Sequence, residues 1–213
     1  GTIASTLIRR SGTVGGNLCL DTRCFWFNQT EDWRRSIDWC HKCDCDTEAD
    51  CRVIPNQNTL CVATYQGDLA PCMMVLGAKI HLAGPEGQRS MKLDEFYALD
   101  GMKRNVLEIG EFVTHITLPI ESDQLEGDYQ KLRLRESWDF PEAGVAASWK
   151  RNDNGIEQLY VATTACESIP RLHMEETSVA LNEWNGKESA KILAENIRKT
   201  VKPVNNTYFP PAY

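Results

Sequence analysis

The chain has 213 residues, 42% hydrophobic and 25% charged, with a formal net charge of −7, which is enough sequence to bury a core and falls in the one-or-two-domain range. Its 23 Lys and Arg are scattered and outnumbered by 30 Asp and Glu, so a nucleic-acid-binding surface, which needs clustered cations to neutralise phosphates, is not expected. No apolar run approaches the roughly 18–20 residues that cross a bilayer and the first residues lack a signal-peptide stretch, so no membrane partner is expected and the cytoplasm is the expected compartment.

In chain order, the first distinctive segment is Ser11-Gly12-Thr13-Val14-Gly15-Gly16-Asn17-Leu18. Adjacent glycines let backbone N–H donors approach an anion without a Cβ in the way. On local chemistry alone the same text also serves as a plain turn.

Six of the nine cysteines, Cys24, Cys40, Cys43, Cys45, Cys51 and Cys61, follow in one short stretch. Structural disulfides are rare in a reducing compartment, so the clustering points first to metal. Iron–sulfur ligation, a zinc site using the CxxC of Cys40-His41-Lys42-Cys43, and free or disulfide-bonded thiols all remain open on spacing alone. Trp26, Trp33 and Trp39 lie in the same stretch and would supply an apolar shell or simply a small core. His41 is a minor ligand candidate, and Cys19, Cys72 and Cys166 read as small buried hydrophobes.

Residues 78–83 are strand-like, Gly84-Pro85-Glu86-Gly87 is a turn, and Met91 and Leu93 resume an alternating pattern, which together predict a hairpin. A further strand is predicted over residues 111–119, with Phe112, Ile116 and Leu118 on one face and Val113, His115 and Thr117 on the other. The polar stretch at 121–128 predicts a domain boundary near residue 124. Beyond it, β-rich segments at 144–149 and 158–164 meet through Asn152-Asp153-Asn154-Gly155, whose Asn-Gly favours a tight hairpin turn. Residues 189–201 set Ala190, Leu193, Ala194, Ile197 and Val201 at helical spacing, predicting an amphipathic helix that covers one face of that sheet. Strands followed by a helix give an α+β class rather than a doubly wound one. His81, His115 and His173 have no triad-like context, and no catalytic residue is assigned.

Four motifs in order carry a resemblance. Ile8-Arg9-Arg10-Ser11-Gly12-Thr13-Val14-Gly15-Gly16-Asn17, Gly67-Asp68-Leu69-Ala70-Pro71, Leu107 ahead of Glu108-Ile109-Gly110-Glu111, and Tyr129-Gln130-Lys131-Leu132-Arg133 resemble the flavoprotein family of xanthine dehydrogenase and carbon monoxide dehydrogenase. The resemblance implies FAD as cofactor, with Thr13, Gly15, Gly16, Asn17 and Asp68 toward its ribityl and pyrophosphate region, Leu107 against the ring and Lys131 near it. From the residues alone, Asp68 could instead cap a helix, Leu107 could be core and Lys131 a solvated strand lysine. The implied organisation is the second half of an FAD-binding domain over residues 1–123, with a cysteine-rich insertion at about 22–62, and a C-terminal antiparallel sheet-plus-helix domain over 124–213. Family members usually carry a further subdomain before this text and run past its end, so the chain is expected to be a fragment.

The insertion, flanked by Asn17-Leu18-Cys19-Leu20-Asp21-Thr22-Arg23-Cys24 and by Cys61-Val62-Ala63-Thr64-Tyr65-Gln66-Gly67-Asp68, is similar to that of 4-hydroxybenzoyl-CoA reductase β subunits. That resemblance implies a [4Fe–4S] cluster on Cys24, Cys40, Cys51 and Cys61, with Cys43 or Cys45 as substitutes for Cys40 or Cys51. It also implies an electron-transfer role beside a molybdopterin-containing catalytic subunit and a [2Fe–2S] subunit, with a ferredoxin as candidate donor, in reductive dehydroxylation of an aromatic acyl-CoA. The alternatives are an FAD subunit of a xanthine- or nicotinate-dehydrogenase-like hydroxylase and a zinc-stabilised interaction module without enzymatic activity.

Overall fold

The computed structural model describes residues 1–43, 48–57, 59–136, 138–153 and 155–212. The chain opens with two short helices, α1 (Thr6–Ser11) and α2 (Val14–Leu18), and the insertion carries a third, α3 (Glu31–Ser36). Helix α4 (Leu69–Val75) leads into a three-stranded antiparallel sheet of β1 (Lys79–Gly84), β2 (Gly87–Lys92) and β3 (Phe112–Thr117), in the order β2-β1-β3. A second antiparallel sheet follows, in the order β4-β5-β6-β7: β4 (Glu126–Leu132), β5 (Ala143–Asn152), β6 (Gly155–Thr164) and β7 (Arg171–Leu172). Helices α5 (Met174–Asn182) and α6 (Gly186–Thr200) complete the fold, which is the expected mixture of helices and antiparallel sheets. Among the described residues no helix is long and apolar enough to cross a membrane.

Helix α4 holds the two sheets together. Its Ala70, Met74 and Val75 are buried in one cluster with Ile80 and Leu82 of β1, Ala146 of β5 and Ala162 of β6. Ser148 Oγ, fully buried on β5, donates to the Val75 carbonyl at 2.5 Å, which satisfies an orphan carbonyl at the helix C-terminus. The sheets change at a 3₁₀ turn, Ile120–Gln124, where the sequence predicts a domain boundary. Backbone bonds span that boundary: Tyr65 N–H donates to the Glu167 carbonyl and Ala165 N–H to the Tyr65 carbonyl, both at 2.9 Å.

Both hairpins form, with the first turning at Pro85-Glu86 between Gly84 and Gly87. In the second, β5 ends at Asn152 and β6 resumes at Gly155, whose φ of +129° needs a residue without Cβ; Asn154 of the predicted turn lies outside the described residues. Strand β3 departs from the simple alternation. Val113 pairs with Leu82 and His115 with His81, leaving Thr114 as an extra residue in a bulge, and its hydroxyl donates to the His81 carbonyl at 3.1 Å. The bulge shifts the phase, so Val113 and Ile116 pack on the core while Phe112 is 61% exposed.

Helix α6 covers the second sheet as expected, burying Leu193 and Ile197 against Leu159 and Val161 of β6. Its seam differs from the predicted one: Ala190 and Ala194 face solvent, and Ser189 is buried instead. The Ser189 hydroxyl accepts from Asn185 N–H at 2.7 Å and donates to the Glu183 carbonyl, so the buried polar atom is satisfied.

The insertion leaves and rejoins the fold at one point. Arg23 and Thr64 exchange both N–H···O bonds at 2.7 Å, an isolated antiparallel bridge. The C-terminal tail clasps the same place, with Asn206 Nδ2 donating to the Val62 carbonyl at 2.7 Å and Phe25 N–H donating to the Asn206 carbonyl at 2.8 Å.

Candidate functional site

The glycine segment is wound into the single turn of α2 rather than left as an open loop. Thr13 caps it, its hydroxyl accepting from Gly16 N–H at 3.0 Å. Gly15 lies against Val113 of β3, and a Cβ on Gly16 would come within 3.0 Å of the Thr13 hydroxyl. Thr13 and Gly16 are exposed and Gly15 and Asn17 half-buried, which leaves this turn open to a ligand.

Asp68 stands at the N-cap position of α4 yet makes no side-chain cap bond. The cap comes from Asn17, whose Oδ1 accepts from Leu69 N–H at 3.2 Å, so the last residue of the glycine motif joins the acidic motif directly. The Asp68 carboxylate turns to the second sheet instead. Its Oδ1 accepts from the Tyr129 hydroxyl at 2.9 Å and its Oδ2 from Lys131 Nζ at 3.0 Å. The pair is deep: the Lys131 and Asp68 side chains are 2% and 8% exposed. Lys131 is therefore not a solvated strand lysine, and its ammonium also donates to the Thr2 carbonyl at 3.2 Å. Burial, with the adjacent Asp68 charge, pushes the Tyr129 hydroxyl well above its ordinary pKa, so it acts as a neutral donor. Leu107 packs against the main core with its N–H held by Asn105 Oδ1; among the described residues no hydrogen bond joins it to the Asn17, Asp68 and Lys131 group.

Two tyrosines support α2 from beneath. The Tyr65 and Tyr97 hydroxyls lie 3.3 Å apart, and both reach the Leu18 carbonyl, at 3.2 and 3.1 Å. Gly67 is small for the same reason, since a Cβ there would overlap the Tyr65 ring and hydroxyl.

In the insertion, Cys24, Cys40, Cys51 and Cys61 are all buried and line one small cavity. Each of the four sulfurs faces backbone N–H groups: Trp26 and Phe27 at Cys24, Lys42 at Cys40, Ile54 at Cys51 and Ala63 at Cys61. Burial pushes the Cys24 and Cys61 thiols up to about 11 and raises Cys40 as well, the neighbouring cysteines adding to the rise. Burial thus disfavours the thiolate at Cys24, Cys40 and Cys61, a balance that a bound metal centre would invert. Among the described residues no cysteine is in a disulfide. Among the described residues, no three His, Cys, Asp or Glu groups close on a single metal ion. Cys45 lies outside the described residues, and Cys43 is not among the cavity-lining residues.

Trp26 and Phe27 wall the cavity, with Trp33 behind Trp26 at a ring separation of 5.9 Å. Trp39 does not line it; its carbonyl accepts from Arg52 Nε at 2.8 Å. His41 and Lys42 do line it, and Lys42, Phe27 and Tyr129 are the site residues that sequence reasoning missed. Tyr129 had a signal, because positions 129 and 131 of a strand share a face. A larger cavity, of about 350 Å³, lies elsewhere, between the start of the insertion, Gln66, Leu134, Trp138, Phe140 and Asn206 to Tyr208. None of the expected flavin contacts lines it, although Cys24 forms part of its wall.

Residues 1–121 match the family described as the FAD-binding domain in molybdopterin dehydrogenase. The chain is 31% identical over 161 residues to the FAD-binding subunit PaoB of an aldehyde oxidoreductase from Escherichia coli (strain K12), covering 71% of this chain and 49% of that protein. It is 25% identical over 154 residues to the nicotinate dehydrogenase FAD-subunit of Eubacterium barkeri, covering 72% and 50%. The chain thus spans about half the length of the curated relatives it matches. Among solved structures, reconstituted CO dehydrogenase from Oligotropha carboxidovorans superposes with a TM-score of 0.69 at 19% identity, over 100% of this chain and 58% of that one, a likeness of fold. On the family match over more than half its length, the chain belongs to the FAD-binding domains of the molybdopterin dehydrogenases.

Proposed function

We propose that this chain is the flavin-binding, electron-transferring part of a molybdenum-dependent oxidoreductase, and that its insertion holds a [4Fe–4S] cluster on Cys24, Cys40, Cys51 and Cys61. The observation that carries the cluster is the convergence of these four buried cysteines, chosen from nine, on one cavity in which every sulfur faces backbone N–H donors. N–H···S bonds of this kind stabilise thiolate ligands and tune a cluster's potential.

FAD, when bound, would supply a centre able to exchange electrons in pairs or singly. The chain's own groups bind and orient it. The α2 turn with Thr13, Gly15, Gly16 and Asn17 offers an open, glycine-lined approach to a pyrophosphate, and Asp68 offers a carboxylate fixed by Tyr129 and Lys131. Leu107 would give an apolar surface to the ring. The Arg23–Thr64 bridge ties the insertion to the segments that carry Asn17 and Asp68, so a cluster there would stand near the flavin.

In this reading a molybdopterin-containing subunit transforms the substrate, a [2Fe–2S] subunit links the centres, and a ferredoxin is a candidate donor, in a cytoplasmic setting that keeps thiols reduced. The insertion's resemblance favours reductive dehydroxylation of an aromatic acyl-CoA. A second reading, an oxidising hydroxylase of the nicotinate or aldehyde type, draws on the names of the two curated relatives. Single serine substitutions test the ligand set. Replacing Cys24, Cys40, Cys51 or Cys61 is expected to abolish or alter the low-temperature paramagnetic signal of the reduced protein, because an alkoxide is a harder ligand than a thiolate, while Cys43→Ser and Cys45→Ser retain it. Loss of the signal in Cys43→Ser or Cys45→Ser, with retention in Cys40→Ser or Cys51→Ser, refutes the assignment.

A further inference from the structure

Lys42 lies two residues beyond Cys40, and its side chain is only 11% exposed. Its ammonium donates to Thr22 Oγ1 at 2.6 Å, to the Thr22 carbonyl at 3.1 Å and to Asp21 Oδ1 at 2.7 Å. The Phe27 ring stands 4.8 Å away, so an aromatic face takes the place of water on one side. The Thr22 hydroxyl donates to the Gly101 carbonyl, and Gly101 N–H donates to the Cys61 carbonyl at 2.8 Å. Lys42 is thereby tied through Thr22 and Gly101 to the Cys61 backbone, and it lines the same cavity as all four cysteines.

Its counter-charge is poorly matched. The Asp21 side chain is 47% exposed and is shared with Arg104 at 3.8 Å, so water and a second cation weaken its hold on the field inside the cavity. Arg52, another cation lining the cavity, turns its guanidinium to the carbonyls of Asp38 and Trp39. A partly desolvated ammonium held at a cavity wall is a fixed positive charge beside that cavity.

We propose that Lys42 sets the reduction potential of the [4Fe–4S] cluster, its fixed positive charge stabilising the one extra electron of the reduced state. The inference rests on the cluster reading above. The electron comes from reduced flavin in the assembled enzyme and from the titrant in the test. No proton moves, since Lys42 acts as a charge and not as an acid.

The test is a redox titration of the full chain, purified anaerobically, followed by the paramagnetic signal of the reduced cluster, with iron and acid-labile sulfide measured on every variant. Lys42→Met keeps the side chain's length and removes its charge. It is expected to lower the reduced-to-oxidised ratio at a fixed potential about tenfold, a downward shift of about 59 mV for a one-electron couple. Lys42→Arg should restore most of the difference. Asp21→Asn, at a half-exposed site that does not line the cavity, should shift the midpoint upward; a purely structural role for Lys42 gives no such opposite sign. If Lys42→Met loses its cluster, the Asp21→Asn and Lys42→Arg midpoints still decide. A midpoint in Lys42→Met equal to that of the parent at equal iron and sulfide, or a downward shift in Asp21→Asn, overturns the role of Lys42 alone. Absence of iron and sulfide from the parent protein overturns the cluster reading and this inference with it.

Discussion

Lys131→Met separates the buried Asp68–Lys131 pair from the ordinary surface ion pairs of this chain. Both side chains are nearly inaccessible, 2% and 8% exposed, and the substitution leaves Asp68 with the Tyr129 hydroxyl as its remaining side-chain donor. Removing one member of a buried pair typically costs about 3–5 kcal/mol, because the other charge stays desolvated. One hydrogen bond from Tyr129 offsets part of this, so a loss of about 3 kcal/mol is expected. Urea unfolding should show it as a lower midpoint at unchanged slope. Asp68→Ala is correspondingly not a clean probe of flavin contact, since among the described residues it leaves the Lys131 ammonium with the Thr2 carbonyl alone as a hydrogen-bond partner. Asp68→Asn combined with Lys131→Met removes both charges and should recover much of the stability while still lowering flavin occupancy. A cost below about 1 kcal/mol for Lys131→Met, the range of an exposed pair, would refute the reasoning.

Gly101→Ala places a Cβ 2.8 Å from Cys61 Sγ and 2.9 Å from Ala63 N, so it should displace one proposed ligand and lower iron content without removing any cysteine; full iron occupancy would count against the assignment of Cys61. His173 is fully buried, with Nε2 at 2.9 Å from the Thr163 hydroxyl, and burial lowers its pKa despite Glu176 nearby. The unfolded chain then binds the proton more readily, so the contribution of His173 is intact above the unfolded value of about 6.5 and is lost as pH falls below it. Stability measured from pH 8 to pH 5 should decline over that interval in the parent and decline less in His173→Gln; parallel profiles would contradict the burial argument.

Local periodicity made the hairpins and α6 legible, because turn residues and spacing act over a few positions. It misplaced the phase of β3, since the bulge at Thr114 depends on pairing with His81 across the sheet. It also missed that Ser189 rather than Ala190 is buried, which follows from the loop carbonyl and N–H that the Ser189 hydroxyl joins. Of the site, the ordered motifs brought Asn17 and Asp68 together, and the structure links them through Leu69 N–H. The burial of Lys131 could not be read, because it comes from Asp68, just ahead of helix α4, meeting strand β4 from a distant part of the chain. Lys42 was hidden for the same reason: its partners Asp21 and Thr22 lie where the insertion begins, about twenty residues earlier, and nothing in the local text around residue 42 distinguishes it from a solvated lysine.

Metal, sulfide and flavin content of the anaerobically purified protein bears most directly on the central claim. The account predicts about four iron and four acid-labile sulfide per chain, the composition of one [4Fe–4S] cluster, together with FAD, visible as flavin absorption over a broad iron–sulfur band. Stoichiometric zinc without iron, in a colourless protein that retains its fold, would contradict it.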